Sequence, residues 1–208
     1  MQATSGSGVL GAALAHGITI AVLIIGLGHI SGGHFNPAVT TGVFIGGGIH
    51  VVDAVVYIVS QLLGGFVGAL LAYAVIDRKN WNAILGGATI PADGVNQAQG
   101  ITCEAILTFF LVFTVLMTAV DTSSNLLAPL AIGLSITVDI LAGANTSGAS
   151  MNPARTLGPA CVAALFDIGE KVWRDHYIYY IGQLIGAVVA AGFYRLVFGN
   201  SDKRILLK

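Results

Sequence analysis

The stretch "SGGHFNPAVTTG" at Ser31–Gly42 returns 116 residues later as "SGASMNPARTLG" at Ser147–Gly158. The two copies share Ser-Gly, then Asn-Pro-Ala, then Thr and Gly, without a gap. In each, Asn36 or Asn152 suits an N-cap, because its side-chain oxygen can accept an orphan backbone N–H. Pro37 or Pro153 follows at the first helical position, where a missing N–H costs nothing. Each copy therefore reads as a helix start behind an unwound, glycine-containing approach.

The surroundings say where these helices start. The chain has 208 residues, 55% hydrophobic and 9% charged, with a mean hydropathy of +0.85. Soluble domains carry about 25% charged residues, so this chain reads as a polytopic membrane protein. The net charge of −1 gives no argument for nucleic acid. Cys103 and Cys161 sit in apolar context and read as small buried thiols, not a disulfide or metal framework. "MQATSGSG" has no basic n-region and is not read as a signal peptide.

A spanning helix needs roughly 20 apolar residues. Five segments qualify, at about Val9–Gly28, His50–Ile76, Ile101–Val120, Ala128–Ala142 and Tyr177–Gly199, the fourth being short. Polar connections follow Ile76 and Val120 and precede Tyr177. The segments Ser31–Gly48 and Ser147–Phe166 are neither spans nor polar loops. Irregular backbone at membrane depth is tolerated where protein buries it or it lines a wet cavity. Both read as re-entrant loops leading into half-helices.

The repeat extends further. "ALAHGITIAV" (Ala13–Val22) lies over "PLAIGLSITV" (Pro129–Val138), with Leu, Ala, Gly, Ile and Val in common. "YIVSQLLGG" (Tyr57–Gly65) lies over "YYIGQLIGA" (Tyr179–Ala187), sharing Tyr, Gln, Leu and Gly. Repeat one runs over 9–76 and repeat two over 101–199, in a single domain of 1–208. An odd number of spans separates matching elements, so the copies are inverted and the half-helices meet N-terminus to N-terminus.

With "ISGGHFNPAV", "SGASMNPARTLGPA", "VSQLLGG" and "TVDILAG", the chain resembles the aquaporin (major intrinsic protein) family over nearly its whole length, and within it the aquaporin-8 type. The resemblance implies an all-α, inverted-repeat bundle with two re-entrant half-helices. It also implies six spans, of which five are seen; copy one starts at what resembles the family's second helix. Glu104 matches the glutamate that braces a pore loop, and its counterpart on the family's first helix has no equivalent here.

The resemblance implies a passive channel for water and small neutral solutes. Asn36 and Asn152 are then the central donors, their amide NH2 groups free for the lumen. Arg155 belongs to a narrow filter with His16, Ile140 and Ala149. Carbonyls of Gly32, Gly33 and His34, and of Gly148, Ala149 and Ser150, form an acceptor ladder. Ile140 and Ala149 widen the filter and make it less polar than in water-selective members, a combination that resembles members passing ammonia and hydrogen peroxide. Thr156 stands where glycerol-conducting members carry Asp. A homotetramer and a cytoplasmic tail are also implied, in the plasma membrane or in an intracellular or mitochondrial inner membrane.

Other groups read blandly. Asp139 is expected to buttress the loops, and Asp53, Gln61 and Gln183 to bond between helices. His29, His34 and His50 have no metal-ligand spacing. No nucleophile and base pair up, so no enzyme and no cofactor are expected. Lysine and arginine balance on the two sides and set no orientation. A second reading comes from the helix missing in copy one: a non-conducting protomer that associates with full-length subunits. An ion-coupled transporter would need more buried carboxylates.

Overall fold

A computed structural model describes residues 8–122, 125–166 and 169–199. The basic tail at 201–208 lies outside the described residues. The helices are α1 Gly8–Ser31, α2 Pro37–Ile45, α3 Val51–Val75, α4 Arg78–Ala83, α5 Gln97–Val115, α6 Ala128–Gly143, α7 Pro153–Leu165, α8 Gly169–Trp173 and α9 Tyr177–Phe193. Single π turns extend α5 to Val120 and α9 to Phe198. Four helices are long and apolar enough to cross a membrane. The remaining expected span, α6, has 16 residues, fewer than the roughly 20 that cross a bilayer untilted.

Small residues decide how these helices pack, as lipid-embedded helices require. α1 meets α6 at Gly17 and Gly133, a pair related by the 116-residue offset. A methyl on either would collide with the other's carbonyl. Gly158 of α7 sits on the Gly65 carbonyl of α3. The matching contact in the other copy sets Gly42 of α2 near the Ala187 carbonyl of α9. Gly182 and Gly186 bring α9 onto the α5 backbone at Ile101 and Ala105.

The last contact has no mirror image. Gly64 corresponds to Gly186, but a Cβ there would meet nothing within 4 Å. A groove of about 960 Å³ runs along this side of α3, lined by Tyr57, Ser60, Gln61, Gly64 and Phe35 and reaching Asn152 and Arg155. Among the described residues, no helix packs on α3 as α5 packs on α9.

The polar connection after Ile76 folds further than the sequence indicates, at both of its ends. "RKNWNA" forms α4, capped by Asp77, whose side chain accepts from Asn80 N at 3.1 Å. Trp81 of α4 is fully buried against Ala69 and Val162. The start of α5 lies four residues before Ile101, because Asn96 and Gln99 form a reciprocal capping box.

Candidate functional site

The two half-helices begin as local chemistry dictates. Asn36 and Asn152 are extended at φ −157° and −149°. Asn36 Oδ1 accepts from Ala38 N at 2.8 Å and Val39 N at 3.4 Å. Asn152 Oδ1 accepts from Ala154 N at 3.0 Å and Arg155 N at 3.2 Å. With each oxygen fixed on its own helix, the amide nitrogen faces the opposite repeat. Asn36 Nδ2 donates to Met151 O (2.8 Å), and Asn152 Nδ2 donates to Phe35 O (2.9 Å).

This reciprocal pair corrects the expectation of a wholly free NH2. An amide has two N–H donors, and one of them joins the half-helices, leaving one per asparagine. The accepting carbonyls belong to left-handed residues, Phe35 at φ 49° and Met151 at φ 55°. Such a conformation costs an ordinary residue roughly 1–2 kcal/mol. The approaches mirror one another as well, with Gly32 and Gly148 at φ 90° and 89°.

Asn36 and Asn152 line a cavity of about 830 Å³. One wall is apolar, built by Ile20, Val39, Val43, Leu111, Val115 and Ile132; the other is the re-entrant backbone. Of the expected ladder residues, Gly32, Gly33, His34, Ala149 and Ser150 line it. Gly148 does not; it packs beside Thr89 and Ile90 O. His16, Ile140, Ala149 and Arg155 come together at one end. The same four line a second small cavity, about 10 Å³, with Val9, Ala12, Ala144 and Gly148. That is near the minimum of roughly 10–15 Å³ that holds one water.

His16 Nδ1 donates to Ala12 O (2.8 Å), which leaves Nε2 as the acceptor of a neutral ring. Arg155 Nη1 donates to Gly87 O (3.1 Å). This acceptor is invisible in the sequence, because it is a main-chain atom from a connection outside both repeats.

Glu104, fully buried on α5, ties repeat two together. Oε1 accepts from Ser147 Oγ (2.6 Å) and Ser150 N (2.9 Å). Oε2 accepts from Met151 N (2.8 Å) and Gln183 Nε2 (3.1 Å). Four donors offset the cost of desolvating one carboxylate. Gln183 Nε2 also reaches Thr156 Oγ1 (3.2 Å), and Tyr179 OH donates to Ser147 O (2.6 Å). Repeat one reproduces only part of this. Tyr57 OH donates to Ser31 O (2.7 Å), and Gln61 Nε2 to Thr40 Oγ1 (2.9 Å). Among the described residues no carboxylate hydrogen-bonds to Gln61, whose partner is Thr40, or to the Phe35 amide.

Ser147, Thr156, Tyr179 and Gly87 are therefore structural partners that sequence reasoning did not place at the site. The first three carried a signal, since Ser31, Thr40 and Tyr57 recur as their counterparts. Asp139 departs from expectation. Its Oδ2 is buried without a hydrogen-bond partner, so that oxygen braces no loop. Cys103 and Cys161 are free thiols at intermediate exposure, not fully buried. Among the described residues, no cluster of three His, Cys, Asp or Glu side chains could hold a metal.

Comparison with known proteins agrees with this geometry. The family model described as Major intrinsic protein matches residues 1–194. Aquaporin-8 of Mus musculus is 42% identical over 204 residues, spanning 97% of this chain and 76% of its own length. Probable aquaporin TIP1-2 of Oryza sativa subsp. japonica is 42% identical over 198 residues, or 94% of this chain and 74% of its own. The X-ray structure of the aquaglyceroporin from Plasmodium falciparum superimposes with a TM-score of 0.80 at 23% identity, covering 94% of this chain and 86% of that one. The inverted repeat, the paired asparagine caps and these likenesses together make the chain a multi-pass membrane protein that belongs to the major intrinsic protein family.

Proposed function

We propose that this chain is a passive channel for water and small neutral solutes, ammonia and hydrogen peroxide among them. The observation that carries the reading is the reciprocal asparagine pair at the meeting point of two helix N-termini, lining a cavity of about 830 Å³. Each helix N-terminus carries about half a positive charge. Each asparagine keeps one N–H for the lumen. A water passing between them accepts hydrogen bonds through its oxygen and turns its hydrogens outward. The chain of waters is broken for proton hopping, and cations are repelled.

Selectivity then falls to His16, Ile140, Ala149 and Arg155. His16 Nε2 offers an acceptor and Arg155 offers donors, while Ile140 and Ala149 supply apolar, uncrowded walls. A small polar solute can exchange its hydration there without being held. The carbonyl groups of the re-entrant segments serve as acceptors along the path. A homotetramer with a pore in each subunit, in the plasma membrane or an internal membrane, accompanies this reading.

Proteoliposomes carrying the purified chain should shrink faster than empty ones under osmotic shock in stopped flow, and should admit ammonia and hydrogen peroxide. Water permeability equal to that of protein-free liposomes overturns the proposal.

The groove beside α3 favours a second reading, a non-conducting protomer that associates with full-length subunits. It is lined by Gln61 and reaches Asn152 and Arg155, which also line the main cavity. Co-expression with a full-length relative should then alter that relative's water flux or delivery to its membrane; no change in either removes this reading.

A further inference from the structure

The Arg155 guanidinium has one hydrogen-bond acceptor among the described residues, the carbonyl of Gly87. Whatever holds that carbonyl in place also bears on selectivity.

The carbonyl is held by the connection after α3. Asp77 starts α4, and α4 seats Trp81 at zero exposure. Trp81 packs on Ala69 and Val162, and meets Tyr73 edge-on at 5.0 Å. Tyr73 stacks on Phe166 at 3.6 Å, and Arg78 covers Tyr73 at 4.1 Å. This end of the connection is thus pinned to the last turns of α3 and α7. The chain then reverses through three successive left-handed residues, Leu85 (φ 51°), Gly86 (62°) and Gly87 (81°). The turn is closed by Gly87 N to Ile84 O (2.9 Å) and Ala88 N to Leu85 O (3.0 Å). It presses Gly86 flat on the indole, where a Cβ would lie 2.5 Å from Trp81 Cζ2. From the indole to Arg155 there is no slack: ring, Gly86, Gly87 carbonyl, guanidinium.

We infer that the segment 77–87 is a selectivity-setting clamp, in which Trp81, seated on Gly86, is a positioning residue that keeps the Gly87 carbonyl on Arg155 and so fixes how far the guanidinium reaches into the lumen. The inference rests on the proposed reading of Arg155 as a filter residue. A guanidinium has five N–H donors, and leaving them unpaired in a dry setting is costly. Displaced from Gly87 O, the group takes its acceptor from lumenal water or solute. Beside the four filter residues lies a cavity of only about 10 Å³, so a shifted guanidinium has little room except toward the lumen, where it alters which solutes pass.

The test measures the ratio of glycerol to water permeability in proteoliposomes. Arg155→Val removes the cation and should raise the ratio. Gly86→Ala, which pushes on the indole, and Trp81→Ala, which removes it, should raise it by roughly threefold or more. Neither should add to the effect of Arg155→Val when combined with it. Trp81→Phe keeps a ring on Gly86 and should restore most of the parent ratio. Gly94→Ala is the control, with the same left-handed backbone (φ 83°) in open space on the same connection. It should match the parent. If Arg155→Val shifts the ratio while the Trp81 and Gly86 variants do not, or if they shift it equally without Arg155, the clamp is refuted and the filter stands. If Arg155→Val leaves the ratio unchanged, the filter reading fails and the clamp falls with it. Should Gly86→Ala fail to insert, the Trp81 pair decides alone.

Discussion

At the scale of single residues, the site depends on main-chain N–H donors that cannot be reversed. Glu104 accepts four times and donates never. Glu104→Gln keeps the shape but replaces one acceptor oxygen with an NH2. That group must face either the Met151 amide and Gln183 or the Ser147 hydroxyl and Ser150 amide. The Ser147 hydroxyl or the Gln183 amide can turn to accept, but the facing main-chain N–H of Ser150 or Met151 cannot, and leaving it unpaired costs about 1–3 kcal/mol. The variant should melt at lower temperature in detergent and conduct less water per inserted molecule; parent-like values in both measurements would show that the carboxylate is dispensable. At the filter, His16→Phe with Ile140→His adds bulk and a polar ring where the parent has an acceptor and an apolar wall. Ammonia flux should fall while water flux persists. Unchanged ammonia flux in the double variant counts against these two residues as filter members.

Residues of this kind were partly legible. Asn36 and Asn152 declared themselves because N-capping is a local interaction, set by the residue type and the proline after it. Their second bonds, to Phe35 and Met151 carbonyls 115 or more residues away, could not be read, because any backbone could supply that carbonyl. The Gly87 acceptor was hidden for the same reason.

At the scale of elements, glycine positions separate contact from open lipid. Gly17 and Gly26 lie on the same helix and look alike in sequence. Gly17 abuts the Gly133 carbonyl and Thr137, whereas a Cβ at Gly26 meets nothing within 4 Å. Gly17→Leu should drive α1 from α6 at a cost of about 3 kcal/mol or more, seen as aggregation in size-exclusion chromatography. Gly26→Leu should elute and melt like the parent. Equal behaviour of the two would mean that α1 does not pack at this crossing. Helix ends show what polarity hides. "NQAQG" reads as loop by its polar content, yet Asn96 and Gln99 cap each other and start α5. "RKNWNA" reads the same way until Trp81 finds its apolar pocket between α3 and α7.

At the scale of the whole molecule, the pseudo-two-fold pairs α1 with α6, α2 with α7 and α3 with α9, and α5 has no counterpart among the described residues. Gly64 marks the face of α3 where the symmetry breaks. Gly64→Leu should leave the chain alone unaffected in folding, because its side is open. If the chain joins full-length relatives through the groove beside α3, the same change should abolish co-purification with them. Co-purification that survives it means that association, if it occurs, uses another face.

By itself the sequence determined the membrane setting, the duplication, the inversion and the two half-helix starts, because hydropathy, repeat spacing and N-capping are properties of short stretches read in order. Only the tertiary structure decided which carbonyl takes each asparagine's second bond, which loop atom holds Arg155, that Glu104 gathers four donors, and that no described residue covers α3 at Gly64. Those depend on main-chain atoms and small-residue contacts brought together across the fold, where residue identity carries almost no signal of the partner.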